Sequence, residues 1–252
     1  MSSVLEPGNL RIVLVNTRNP LNIGAAARAM SNFGFLRLRV VNPFDEAWRE
    51  ARSAVGASPL LASAEEFTSI ADAVADCALV VGATAARDRE LHHPLHALQN
   101  AAPLIHLSMA AAPVALLFGS EKRGLSNEDL SHCHFLLRIP TRAEHGSMNL
   151  GQAVAICLYE LARAAEGEQR DSSKTRDLAP RATQEELERI TAVLLEALAQ
   201  SGYSDRRTAA ATEEKVRRLV RRLDLSAEDA LVWLGMLRQI VWKLGNSGSP
   251  PR

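Results

Sequence analysis

The sequence predicts an α/β protein built on a mostly parallel sheet, with a small helical extension behind it. Three observations carry that expectation. From Arg11 to about residue 165, short β-branched runs alternate with segments of helical period, the pattern of strands joined by crossover helices. Two of the runs, Ala78-Leu-Val-Val-Gly82 and Val114-Ala-Leu-Leu-Phe118, show no polar alternation, as strands covered on both faces require. Composition then shifts at Gly167 into a polar, aperiodic stretch reaching Arg181, which reads as a linker. The expected organisation is a sheet domain over 1–166, a linker over 167–182 and a helical extension over 183–252.

Taken in order, strands are predicted at 11–16, 36–41, 78–82, 114–118 and 135–139. Helices are predicted at 21–33, in part of 45–55, and at 66–75, 126–132 and 148–165. The helix between the first two strands is the most distinctive. It is built almost wholly from small and apolar residues, and Arg28 is its single charge. Pro20 suits a first helical turn, where the missing N–H costs nothing, and Gly34 suits a C-terminal stop. A lone arginine of this kind reads either as a surface side chain laying its stem on apolar neighbours or as a functional cation.

Beyond the linker, Thr183 and Glu186 have capping-box spacing, and Leu187, Ile190, Leu194, Leu195 and Leu198 form one stripe. A second helix is expected over 212–223. A third follows Ser226, with Asp229 three residues on, and runs to Leu244. From Arg206 to Arg222 there are seven basic residues and two acids. Arg217, Arg218, Arg221 and Arg222 share a helix face, so this stretch reads as a solvated face or as a phosphate-contacting patch. Trp233 and Trp242 are expected in the core.

Composition bounds the function. Of the 252 residues 47% are apolar, enough for a substantial core, and 29 basic residues balance 29 acidic ones. That balance argues against general attraction to nucleic acid, though not against a local patch. The three cysteines, Cys77, Cys133 and Cys157, are scattered and read as reduced thiols of a cytoplasmic protein. No apolar run is long enough to span a membrane, and no leader segment is apparent.

Two further segments are unusual. In Phe118-Gly-Ser-Glu-Lys-Arg-Gly-Leu-Ser-Asn127 a buried strand ends at Gly119, and Glu121, Lys122 and Arg123 follow at once. The spacing matches no P-loop, and Gly24-Ala-Ala-Ala is not a dinucleotide-binding fingerprint. In Ile139-Pro-Thr-Arg-Ala-Glu-His-Gly-Ser-Met-Asn149 a strand breaks into a polar loop and enters an apolar helix at Ser147. Ser147 is there an N-cap or, with Asn149 and free helix-start N–H groups, part of a pocket. Sheets of this type bind ligands beyond the carboxyl ends of their strands, so the loops of interest begin at Gly82, Gly119 and Ile139. His132-Cys-His134 has too few ligands for a metal site, and none is expected.

These three segments, in this order, resemble the motifs of the SPOUT-class RNA 2'-O-methyltransferases, in their SpoU/TrmH branch. The first motif matches Asn22 through Arg28, the second Phe118 through Asn127 and the third Ile139 through Val154. Within the branch, Val80-Val-Gly-Ala-Thr-Ala-Ala-Arg87 and the helical extension resemble the enzymes that act on tRNA at position 32 of the anticodon loop. The resemblance implies S-adenosyl-L-methionine as donor, S-adenosyl-L-homocysteine as product, a C-terminal trefoil knot and a homodimer with tRNA as substrate. It implies cofactor contacts at Thr84, Ala85, Ala86, Gly119, Ile139, Gly146, Ser147 and Met148. It carries the catalytic role to Arg28, with Asn22, Glu121, Ser147 and Asn149 around it. Ribosomal RNA as substrate, or an RNA-binding protein that keeps the fold without catalysis, are the alternatives.

Overall fold

The computed structural model describes residues 7–44, 46–85, 91–142, 144, 146–168, 180–204 and 208–246. Its centre is a seven-stranded sheet in the order β3-β2-β1-β6-β4-β7-β5. The strands are β1 Leu10–Val15, β2 Arg37–Val41, β3 Glu65–Phe67, β4 Leu79–Ala83, β5 Leu95–Ala97, β6 Val114–Phe118 and β7 Phe135–Arg138. Every neighbouring pair is parallel. The later strands insert between earlier ones: β6 lies between β1 and β4, and β7 between β4 and β5. The carboxyl ends of β6, β4 and β7, each leading into a segment singled out above, are therefore adjacent.

Both faces of the sheet are covered. On one face Ile12, Leu14, Leu116 and Val81 pack with α1 (Pro20–Phe33), α4 (Leu98–Met109) and α6 (Leu150–Glu168). On the other, Val13, Val80 and Leu117 pack with α3 (Ile70–Ala73) and α5 (Asn127–Ser131). Helix α1 forms as its sequence requires: the Asn19 side chain accepts from Leu21 N, Pro20 opens the helix and Gly34 closes it at φ 77°. Its small residues let α6 approach closely. A Cβ on Gly151 would lie 2.6 Å from the Ala25 Cβ, so nothing larger than glycine fits there.

Some elements differ from expectation. The helix predicted at 66–75 is β3 followed by the one-turn α3, because Arg39, Val40 and Val41 of β2 register with residues 65–67. No element was predicted for 98–109, where α4 carries Pro103 inside it; a proline there forfeits one backbone bond, and burial of Ala101, Ala102, Ile105 and Met109 offsets that loss. The 45–55 region contributes a 3-10 turn at Glu46–Glu50, followed by the short α2, Ser58–Ala62. Helix α6 starts at Leu150 rather than 148, since the Asn149 Oδ1 accepts from Gly151 N at 3.0 Å and makes Asn149, not Ser147, the cap.

The extension forms three helices, α7 Gln184–Gln200, α8 Ala209–Arg222 and α9 Ala227–Asn246, with a small core of Leu187, Ile190, Val216, Val220, Ala230 and Leu237. The Thr183–Glu186 capping box is present, and Asp229 N is capped by Ser226. Of the predicted linker, 169–179 lies outside the described residues, whereas α6 reaches Glu168 and Ala182 is buried, its N–H bonded to Leu225 O.

The extension docks on the sheet domain through buried polar contacts. Gln184 N and Glu185 N donate to Cys77 O and Ala75 O. Arg221, with a fully buried side chain, donates to His132 O at 3.0 Å and to Glu188 Oε1 at 2.6 Å. Arg217 lies 3.2 Å from the same carboxylate and donates to Ser131 Oγ at 3.1 Å. This corrects the reading of the 206–222 stretch as one phosphate-contacting face. Arg217 and Arg221 are buried, Arg218 lies 3.7 Å from Glu214, Arg222 is exposed, and Arg206 lies outside the described residues. Burial raises the Glu188 carboxyl, but His132, Arg221 and Arg217 outweigh it and bring the pKa down to about 2. Trp233 packs against the small core, but Trp242 is 60% exposed, contrary to expectation.

The histidines flanking Cys133 are structural. Val80 N donates to His134 Nδ1 at 3.0 Å, which places the ring proton on Nε2, opposite the side-chain amide of Gln184. Burial pushes His134 down to about 3, so it stays neutral. The His132 Nδ1 lies 3.3 Å from Glu188.

Candidate active site

A cleft of about 320 Å³ opens over the carboxyl ends of β4, β6 and β7. Each strand supplies the start of one wall. Ala83 to Ala85 follow β4, the 118–125 loop follows β6, and Ile139, Thr141 and 146–148 follow β7. Leu150 and Ala153 of α6 close the apolar side.

Seven of the eight residues expected to contact the cofactor line this cleft: Thr84, Ala85, Gly119, Ile139, Gly146, Ser147 and Met148. Ala86 lies outside the described residues. Small residues alternate with apolar and charged side chains in the lining, and the volume falls in the range of about 300–1,000 Å³ usual for small-ligand sites. The cleft thus has room for a small ligand. Gly119 has a separate role in shaping the wall. A Cβ there would come within 2.1 Å of the Gly124 carbonyl carbon, so the 119–125 loop can fold back only on glycine.

Glu121 is the anchor of the site. Its carboxylate accepts from Arg18 N at 3.1 Å, Asn19 N at 3.3 Å and Asn22 Nδ2 at 2.7 Å. Asn22 Oδ1 in turn accepts from Asn149 Nδ2 at 2.9 Å, while Asn149 Oδ1 caps α6. One chain of hydrogen bonds therefore joins all three unusual segments. Burial pushes the Glu121 carboxyl upward. Hydrogen bonds from Asn22 and from backbone N–H groups outweigh it and hold the group below the usual carboxylate range. Sequence reasoning singled out Glu121, Asn22 and Asn149 but not this linkage, because it joins residues about a hundred positions apart.

Arg28 stands apart. It is exposed on α1 and is not among the residues lining the cleft. Ser147 is exposed at the rim. Lining residues not singled out as site residues include Lys122, Arg123 and Thr141; the charged pair follows directly on Glu121, which is the signal that pointed to it. Among the described residues, no cluster of His, Cys, Asp and Glu could hold a metal. No helix among them is long and apolar enough to cross a membrane.

Fold and cleft together define a class: a parallel α/β protein with a cleft for a small ligand among the loops of late-inserted strands. Comparison with known proteins sharpens this, since the profile of the SpoU rRNA Methylase family matches residues 9–159. The chain belongs to the SpoU methylase family, and its sheet domain has the SPOUT fold. It is 36% identical over 233 residues to the tRNA (cytidine/uridine-2'-O-)-methyltransferase TrmJ of Sodalis glossinidius, covering 92% of this chain and 91% of that protein. It is 34% identical to the TrmJ of Klebsiella pneumoniae, covering 92% and 96%. Its structure resembles that of TrmJ from Z. mobilis with a TM-score of 0.80 and 32% identity, over 91% of this chain and 98% of the other. The similarity to these three proteins extends well beyond the family profile and into the helical extension.

Proposed function

We propose that the protein transfers a methyl group from S-adenosyl-L-methionine to a ribose 2'-hydroxyl of tRNA, at position 32 of the anticodon loop. The observation that carries this reading is the cleft itself, where residues from three separate segments converge on a site sized for the donor. The TrmJ relatives, similar across the extension as well, support tRNA over ribosomal RNA.

S-adenosyl-L-methionine supplies an electrophilic sulfonium methyl group and departs as S-adenosyl-L-homocysteine. Main-chain atoms at 84–86, 119, 139 and 146–148 would hold it. Arg28 binds the phosphate beside the target and stabilises negative charge developing on the 2'-oxygen. A guanidinium stays protonated in proteins, which disfavours it as the base, so the 2'-hydroxyl proton passes to solvent as the oxygen takes the methyl group from sulfur. Glu121, Asn22 and Asn149 act as positioning residues, keeping the three loops in register. Ser147 contacts the reacting groups from the rim. Since Arg28 lies outside its own chain's cleft, the reading requires a homodimer in which α1 of one protomer serves the cleft of its partner. The knot expected of the family would encircle the donor loops.

The test incubates purified protein with labelled donor and separate pools of tRNA and ribosomal RNA, then maps 2'-O-methyl nucleosides by mass spectrometry. Methylation confined to tRNA position 32 is the expected result. Transfer to ribosomal RNA alone would replace the substrate, and donor binding without transfer to either would favour a non-catalytic RNA-binding role.

A further inference from the structure

Phe44 is 72% exposed, whereas Phe35 and Phe118 are buried and Phe33, Phe67 and Phe135 are partly buried against the cores. It is not on a loose tip. Asn42, at φ 45°, turns the chain out of β2 and ties it down through Asn42 N to Phe67 O and Asn42 Nδ2 to Thr68 O, both 3.0 Å. Phe44 N then donates to Thr17 O at 3.0 Å. The Arg18 guanidinium carbon lies 4.8 Å from the centre of the Phe44 ring, and Arg18 N is one of the donors to Glu121. The exposed ring, the cation over it and the wall of the cleft are therefore one hydrogen-bonded unit. Because β1 lies beside β6 and β2 beside β1 in the sheet, that unit extends the strand-end surface away from the cleft.

We propose that Phe44 and Arg18 form a stacking platform for an unpaired nucleobase of the RNA next to the methylated ribose. This assignment rests on the RNA-methyltransferase reading above. Unpaired bases in RNA loops are recognised by aromatic rings and arginine planes. A base can displace or sandwich the guanidinium on the ring, and Arg18 also offers its charge to the adjoining phosphate. The platform explains why a large apolar ring is held in water beside a polar site. Phe44 acts on substrate position and not on the donor.

Phe44→Ala, Phe44→Leu and Phe44→Trp enzymes are compared with wild type for RNA KM, kcat, donor affinity and melting temperature. The alanine and leucine variants should raise the RNA KM by about 10-fold or more, the loss expected for one stacked base. Donor affinity and melting temperature should stay as in wild type. The tryptophan variant should restore KM, and its added fluorescence over wild type should be quenched when tRNA binds. An RNA KM within about twofold of wild type for both alanine and leucine variants, against an active wild-type enzyme, would overturn the platform and leave the methyltransferase reading intact. Unquenched tryptophan emission would overturn it equally. A wild-type enzyme with no transfer to any RNA removes both.

Discussion

Helices α1 and α8 invite comparison, because both carry arginines that the sequence marks as candidates for meeting RNA. In α1 one cation sits on a helix of small and apolar residues, and it projects to solvent. In α8 cations are dense, yet Arg217 and Arg221 point inward onto Glu188 of α7. The density of charge in α8 misleads, since half of its arginines turn inward. A buried guanidinium needs a carboxylate and several acceptors. Glu188, His132 O and Arg217 O supply them for Arg221. Arg217 and Arg221 of α8 hold the extension onto the sheet domain, while Arg28 of α1 is exposed.

Ways to break this contrast follow in order of size. Glu188→Ala should destabilise the protein by about 3–5 kcal/mol, since the buried Arg221 loses its counter-charge and Arg217 keeps only Glu213; chemical denaturation measures it. Arg28→Ala should cut turnover by about 100- to 1,000-fold, the loss typical of a single transition-state donor. Because Arg28 is exposed, its melting temperature should match wild type, and isothermal titration should find donor affinity unchanged. Glu121→Ala should cost about 1–3 kcal/mol in a denaturant titration, as three donors exchange a carboxylate for water. Arg222→Ala should leave stability within about 0.5 kcal/mol. It should reduce the slope of log K for tRNA against log salt by about one, if its exposed charge meets a phosphate.

Acid offers a further way to separate the two helices. The Glu188 carboxyl has a folded pKa of about 2 against an ordinary value of 4.5. Its stabilising contribution is therefore complete above about pH 4.5 and is lost as pH falls toward 2. Glu188→Gln should flatten the stability profile in that window relative to wild type, measured by denaturation at stepped pH. A profile parallel to wild type would mean that other carboxylates set the acid limit.

What the sequence made legible follows the reach of each interaction. Strands β1, β2, β4, β6 and β7 were readable because each is a contiguous run whose neighbours in sequence decide its character. The helix start at Pro20, the stop at Gly34 and the capping box at Thr183 are likewise local, and the structure has them. The three loops of the cleft were readable from strand ends. Long-range pairing was not. Strand β3 exists because β2 offers it an edge, and Glu188 finds Arg221 across 33 positions. Nothing local marks Arg217 and Arg221 as different from Arg222. The place of Arg28 was half legible: its isolation shows in the sequence, but its absence from the residues lining the cleft does not.

The most direct test mixes two inactive enzymes. One is Arg28→Ala, with an intact cleft; the other is Gly119→Ala, whose Cβ would collide with the Gly124 backbone and distort the cleft while leaving α1 unchanged. Co-refolded, they should recover methyl transfer to tRNA that neither has alone, because a mixed dimer pairs one intact cleft with one intact Arg28. A mixture as inactive as its components would contradict the account and return Arg28 to its own chain or to no role in transfer.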